Sequence, residues 1–181
     1  MRKLIVTELV SLDGVNEAPE KWSIAYWNDE IARFKHDELF ASGAMLLGRR
    51  TYETFAGSWP GRKDETGFAD RMNSLPKHVV SSTLQDLEWN NAWLVEGDVA
   101  KTVSELKKQK NGDLLVYGSG SLVQTLLKHG LVDECRLIVY PLVLGTGKRL
   151  FSDGAPLKLN LQEARPFSSG AVLLRYAAGA S

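Results

Sequence analysis

A single cysteine, Cys135, is the whole thiol content of the chain. It excludes an intramolecular disulfide and a multi-thiolate zinc site. It falls in Glu134–Tyr140, a run that reads as a strand, so it is expected to be a small buried residue. The three histidines, His36, His78 and His129, are scattered without metal-ligand spacing, and no metal site is expected. Lys plus Arg is 22 and Asp plus Glu is 22, a formal charge of zero. That balance argues against a protein that holds nucleic acid or an anionic membrane surface by bulk charge. No stretch approaches the ~18 consecutive apolar residues of a membrane-spanning helix. Met1–Val10 starts basic, but its apolar run is short and interrupted by Glu8, so it reads as a first strand rather than a signal peptide. With one cysteine and no targeting segment, the expected compartment is the cytoplasm. Internal repeats, low-complexity runs and linkers are lacking too.

What remains is an ordinary globular composition: 181 residues, 44% apolar and 24% charged. That suits one well-filled domain over residues 1–181. Short apolar runs at 3–10, 44–47, 78–80, 93–95 and 114–117 read as strands. Amphipathic stretches at about 28–41, 49–55, 68–75, 99–109 and 121–129 read as helices. Strands alternating with helices predict an α/β fold with a mainly parallel sheet covered on both faces. Strand candidates at 135–140, 157–164 and 172–176 follow one another without a helix, which predicts an antiparallel edge. Apolar edge strands of this kind need covering.

Three strand-to-helix junctions carry residues suited to phosphate. Gly48-Arg49-Arg50-Thr51 puts two guanidinium groups at a helix start, where unpaired N–H groups already favour anions. Ser81-Ser82-Thr83 supplies three hydroxyls. Gly118-Ser119-Gly120-Ser121 lets a phosphorylated ligand approach the backbone. Ligands of open α/β sheets bind at the carboxyl ends of strands, so three such ends on one sheet point to a nucleotide. The full G-x-G-x-x-G fails at Leu122-Val123, and a P-loop is missing, which excludes the standard Rossmann and P-loop readings.

Gly48-Arg-Arg-Thr-Tyr-Glu53, Val80-Ser-Ser82 and Tyr117-Gly-Ser-Gly-Ser121 resemble, in order and spacing, the cofactor motifs of the dihydrofolate reductase superfamily. Val10-Ser-Leu-Asp-Gly14, Tyr140-Pro-Leu-Val-Leu-Gly-Thr-Gly147 and Leu150-Phe151 are similar to a sister group. That group is the reductase domain of the bifunctional riboflavin-biosynthesis deaminase-reductase, with its stand-alone relatives. The resemblance implies a three-layer α/β/α fold and an NADPH-dependent reductase acting on a pyrimidine-, pteridine- or flavin-like heterocycle, similar to 5-amino-6-(5-phosphoribosylamino)uracil reductase. The alternatives are a dihydrofolate reductase-type activity and a non-catalytic nucleotide or flavin binder on the same fold. Arg49, Arg50 and Thr51, with Gly48 before them, would meet cofactor phosphates. Ser81 and Ser82 would lie near the adenosine ribose and its 2′-phosphate. Gly118, Ser119, Gly120, Ser121 and Leu122 would form the pyrophosphate loop. Relatives in this branch often pair, which implies a homodimer.

For catalysis the resemblance puts Glu30 at the position of a helix carboxylate that holds the substrate ring. Half-burial by Trp22, Trp27 and Phe34 would raise its pKa, whereas a first-turn acid serving the helix dipole is the plainer role. Asp13, at the end of the first strand, is the other candidate acid, or the first residue of an Asp-Gly turn. Trp22, Trp27 and Trp59 are expected to stack on a flat heterocycle, and Trp93 to pack in the core. The chain departs from the riboflavin branch at Ala56–Arg62, where an Asp-x-Pro-x-Leu pattern is absent. The zinc-binding deaminase half is absent as well.

Overall fold

A computed structural model describes residues 1–151 and 156–178. Its elements run β1 (Leu4–Ser11), α1 (Asp29–Ala41), β2 (Ser42–Gly48), α2 (Arg49–Ala56), α3 (Phe68–Ser74), β3 (Lys77–Val80), β4 (Ala92–Leu94), α4 (Val99–Lys108), β5 (Asp113–Tyr117), α5 (Gly120–Lys128), β6 (Glu134–Tyr140), β7 (Leu159–Pro166) and β8 (Val172–Ala178). One eight-stranded sheet has the order β4-β3-β2-β5-β1-β6-β8-β7. The six strands from β4 to β6 are parallel, and β8 and β7 add antiparallel at one edge.

The layers follow from side-chain alternation. Leu4, Val6, Leu114 and Val116 face Val103 and Leu106 of α4 and Leu122, Val123 and Leu126 of α5. Ile5, Met45, Leu47 and Leu115 face Leu39 of α1, Tyr52 of α2 and Met72 of α3. Central strands buried on both faces are mostly apolar, as is usual in parallel sheets, with Thr7 and Glu8 of β1 as exceptions. The starts of α1 and α4 are set by side chains: Asn28 Oδ1 accepts from Ile31 N at 3.0 Å and Asp98 Oδ1 from Lys101 N at 3.0 Å. Cys135 is buried, and burial pushes its thiol up to about 11.

The structure differs from expectation at the edges. The segment after β1 holds two single-turn 3-10 helices, Pro19–Lys21 and Ile24–Tyr26. β7 begins at Leu159 and leaves Leu161 exposed. Trp93 is not a core residue: on edge strand β4 it alternates outward and is 53% exposed, while Trp89 is buried under β3. Gly43 sits where β2 shifts register against β5, and a Cβ there would lie 1.4 Å from the Asn111 carbonyl oxygen. Only glycine allows that approach.

Between α1 and the sheet lies a buried polar network. The Glu38 side chain is fully buried and accepts from Thr7 Oγ1 at 2.9 Å and from Lys35 Nζ. Arg136 Nη1 adds a longer contact at 3.4 Å and bonds Glu134 through Nε at 2.7 Å. A buried carboxylate is tolerable only with such compensation, and removing it leaves buried Lys35 without its carboxylate partner. Glu38→Ala is expected to cost about 3–5 kcal/mol in chemical denaturation. A loss under about 1 kcal/mol would show that water already shields the network.

Candidate functional site

The carboxyl ends of β3, β2, β5 and β1 open into one cleft of about 2400 Å³. That exceeds the ~300–1,000 Å³ of a site for one small molecule. All three phosphate-suited junctions line it: Gly48 to Thr51, Ser81 to Thr83 and Gly118 to Leu122.

Ser119 joins two of them. Its Oγ accepts from Gly48 N at 2.8 Å and donates to Thr51 Oγ1 at 2.9 Å. This requires left-handed backbone at both Gly118 (φ 51) and Ser119 (φ 65). For the serine that conformation is costly. A Cβ on Gly118 would also come within 3.1 Å of Thr51 Oγ1. Among the described residues no side chain caps α5, and its first residues, Gly120 to Leu122, line the cleft, so their N–H groups are available to a ligand there. Arg49 and Arg50 stand exposed in the first turn of α2 and make no ion pair among the described residues. The Ser81 hydroxyl is used locally, accepting from Leu84 N at 3.0 Å and Thr83 N at 3.2 Å, whereas Ser82 is exposed.

The two expected acids lie elsewhere. Glu30 is outside the cleft lining. Its Oε2 accepts from Ser168 N at 2.7 Å and from Ser168 Oγ, fastening α1 to the turn between β7 and β8. These bonds hold its pKa below the usual carboxylate value, the reverse of the raised value expected from half-burial. Asp13 takes Ser11 Oγ at 2.6 Å, Leu144 N at 3.1 Å and Gly145 N at 2.9 Å, which lower its pKa to about 2. It pins the loop after β6 to the end of β1. Trp22 also misses the cleft: its Nε1 donates to the Glu17 carbonyl at 3.0 Å and its ring meets Tyr140 edge-on at 5.5 Å. Trp27 and Trp59 do line the cleft, together with Phe55 and Phe68. Trp59 packs on Phe68 at 5.4 Å and carries Arg62 over its ring at 5.1 Å.

Residues outside the expected site set line the cleft as well. On one face of the sheet are Thr7, Lys35 and Tyr117, with Lys35 Nζ 4.5 Å above the Tyr117 ring. The Tyr117 hydroxyl is covered and has no partner among the described residues. On the other face Glu8, 3% exposed, lies between Val6 and Val10 along β1. Asn16 Nδ2 approaches Glu8 Oε2 at 3.4 Å, and Oε1 has no partner among the described residues. Burial pushes the Glu8 pKa up to about 8, against weaker pulls from Asn16 and Lys35. The available signal was a lone charge inside the apolar run Leu4–Val10.

Three comparisons bear on this arrangement. The uncharacterized protein YyaP of Bacillus subtilis is 33% identical over 97% of this chain and 94% of its own. A pyrimidine reductase-like protein of Corynebacterium diphtheriae superposes with a TM-score of 0.73 at 12% identity, over 99% of this chain and 93% of its own. RibD of Acinetobacter baumannii superposes with a TM-score of 0.72 at 17% identity, over 99% of this chain and 58% of its own. The two structural likenesses establish the shared fold. Residues 2–173 match the RibD C-terminal domain, and the chain belongs to that family.

Proposed function

We propose that the protein is an NADPH-dependent reductase that delivers hydride to a C=N or C=O bond of a pyrimidine-, pteridine- or flavin-like heterocycle. The observation that carries this reading is the shared wall of one cleft, in which Ser119 ties the β2 and β5 ends together and leaves the N–H groups of α5 open. Those groups suit a pyrophosphate. Arg49 and Arg50 suit the phosphates beside it, and Ser82 an adenosine 2′-phosphate. When bound, the nicotinamide supplies the hydride, so the chain contributes orientation, water exclusion and proton handling. Trp27, Phe55, Trp59 and Phe68 give the far end apolar walls for a flat ring. The exposed Leu161 on edge strand β7 is consistent with a homodimer.

A binder without turnover on the same site is the second reading. It is favoured by the engagement of both Glu30 and Asp13 outside the cleft. Following nicotinamide absorbance with dihydrofolate, pyrimidine intermediates of riboflavin synthesis, flavins and quinones separates the two. Oxidation of NADPH by one of them supports the reductase, and tight NADPH binding with none oxidised supports the binder.

NADPH at about 100 times its Kd is expected to stabilise the fold by ~2.7 kcal/mol. The same titration should quench the fluorescence of the tryptophans lining the cleft. Millimolar NADPH that moves neither the melting curve nor the fluorescence rules out the cofactor. In the Arg49→Ala/Arg50→Ala double variant NADPH should weaken roughly 10- to 100-fold, since charge-assisted hydrogen bonds are worth about 1.5–3 kcal/mol. NADH should weaken less. Equal losses would show that the arginines do not read the additional phosphate.

A further inference from the structure

We infer that Glu8 is the proton partner of the nicotinamide ring, its carboxyl neutral beside the reduced ring and ionised beside the oxidised one. This rests on the cofactor reading above and names a residue that the motifs leave out. The placement follows from strand order. Ser81 and Ser82 stand at the end of β3, Arg49 and Arg50 after β2, and the glycine loop after β5. A dinucleotide has its pyrophosphate between two nucleosides. If the adenosine half extends from β5 toward β3, the nicotinamide half extends the other way, and the next strand is β1. Neighbouring strands are ~4.8 Å apart, so the ring falls within reach of β1.

At that place the cleft wall includes Glu8, with Asn16 beside it. The Asn16 amide also approaches the phosphate loop, with Nδ2 3.0 Å from where a Cβ on Gly120 would lie. Few charged or titratable groups bear on the carboxyl. Lys35 of α1 acts on it weakly from the other face of the sheet. Cys135 on the adjacent β6 keeps its proton. α5 carries no titratable side chain before Lys128. The covering loops hold Glu17, whose Oε2 accepts from Lys148 N at 3.2 Å, the Lys148 side chain, and Arg149, whose Nη2 is 3.7 Å from Asp13 Oδ2. Burial thus governs Glu8, and it carries its proton at pH 7.

Hydride transfer changes that balance. A nicotinamide held here would give two electrons and one hydrogen to the acceptor carbon and would become cationic. A cation beside a buried carboxyl favours its ionised form. The Glu8 O–H bond then breaks, and its proton goes to the acceptor nitrogen or oxygen, directly or through water. The acceptor has gained two electrons and two hydrogens, and a carboxylate remains beside the oxidised ring. Among acids in the cleft, only one that is neutral before the transfer can do this.

Binding alone tests the coupling. NADPH, NADP+ and 2′-phospho-ADP-ribose are titrated by calorimetry near pH 6.5, in two buffers of different ionisation enthalpy. The 2′-phosphate is common to all three and cancels in the comparison. Wild type should release up to about one more proton with NADP+ than with NADPH. Its NADP+ preference should rise toward tenfold per pH unit up to about pH 8 and level off where Glu8 is already ionised. Glu8→Gln should bind 2′-phospho-ADP-ribose as wild type does and lose both the extra proton and the pH slope. Persistence of either in Glu8→Gln overturns the inference, as does a wild-type preference flat in pH. That last measurement decides the matter even if the variant fails to fold. Failure of all three ligands to bind overturns the cofactor reading and this inference with it.

Discussion

The cleft depends on the left-handed turn at Gly118-Ser119. A parallel sheet ends in separate loops, and its ladder, which sets the register of the strands, does not join the loops beyond their ends. The Ser119 hydroxyl does so by taking the Gly48 N–H and reaching Thr51. The same backbone reversal turns the chain into α5 without a side-chain cap. The constraint that aligns two strand ends therefore also leaves donors open toward a ligand. Forcing a serine into this region costs about 1–2 kcal/mol. Anion binding at the exposed N–H groups is the compensation such a turn can receive.

A second constraint works beneath α1. Helix and sheet meet there through Glu38, Lys35, Thr7 and Arg136 rather than through apolar residues alone. Apolar contacts tolerate sliding, whereas a buried carboxylate that needs specific donors does not. The network sets α1 in one position against β1 and β6. That brings Lys35 over the Tyr117 ring, and both line the cleft. The formal charge of zero is thus a poor guide to placement. Some charges neutralise one another in the interior, and two arginines stand exposed at the start of α2 without an ion pair among the described residues.

The parallel core and the three junctions were legible in the sequence because each is local. An apolar run closed by a glycine or serine cluster marks a strand and its end, wherever its neighbours lie. The edges were less legible. Strand β4 has three residues, and its alternation, which turns Trp93 outward, is set by pairing with β3. The surroundings of Glu30 and Asp13 were not legible because their partners are distant in sequence. Glu30 meets Ser168 and Asp13 meets Gly145 only through the fold. Position in a motif put each near the pocket, but hydrogen bonding decides what a carboxylate does there.

Glu8 shows the reverse. In sequence it is an interruption that keeps Met1–Val10 from reading as an export signal, and a charged residue in a parallel core strand is a cost without visible return. In the fold that strand is the next beyond the phosphate loop, and the alternation that buries Val6 and Val10 buries the carboxyl between them. Carboxylates satisfied by several donors, such as Asp13 and Glu30, are held ionised and have no proton to give at neutral pH. One deprived of donors keeps its proton. Both expected acids are well bonded and act as fasteners. The poorly bonded one lies in the cleft wall, where the proposed reduction, needing a proton as well as a hydride, would use it.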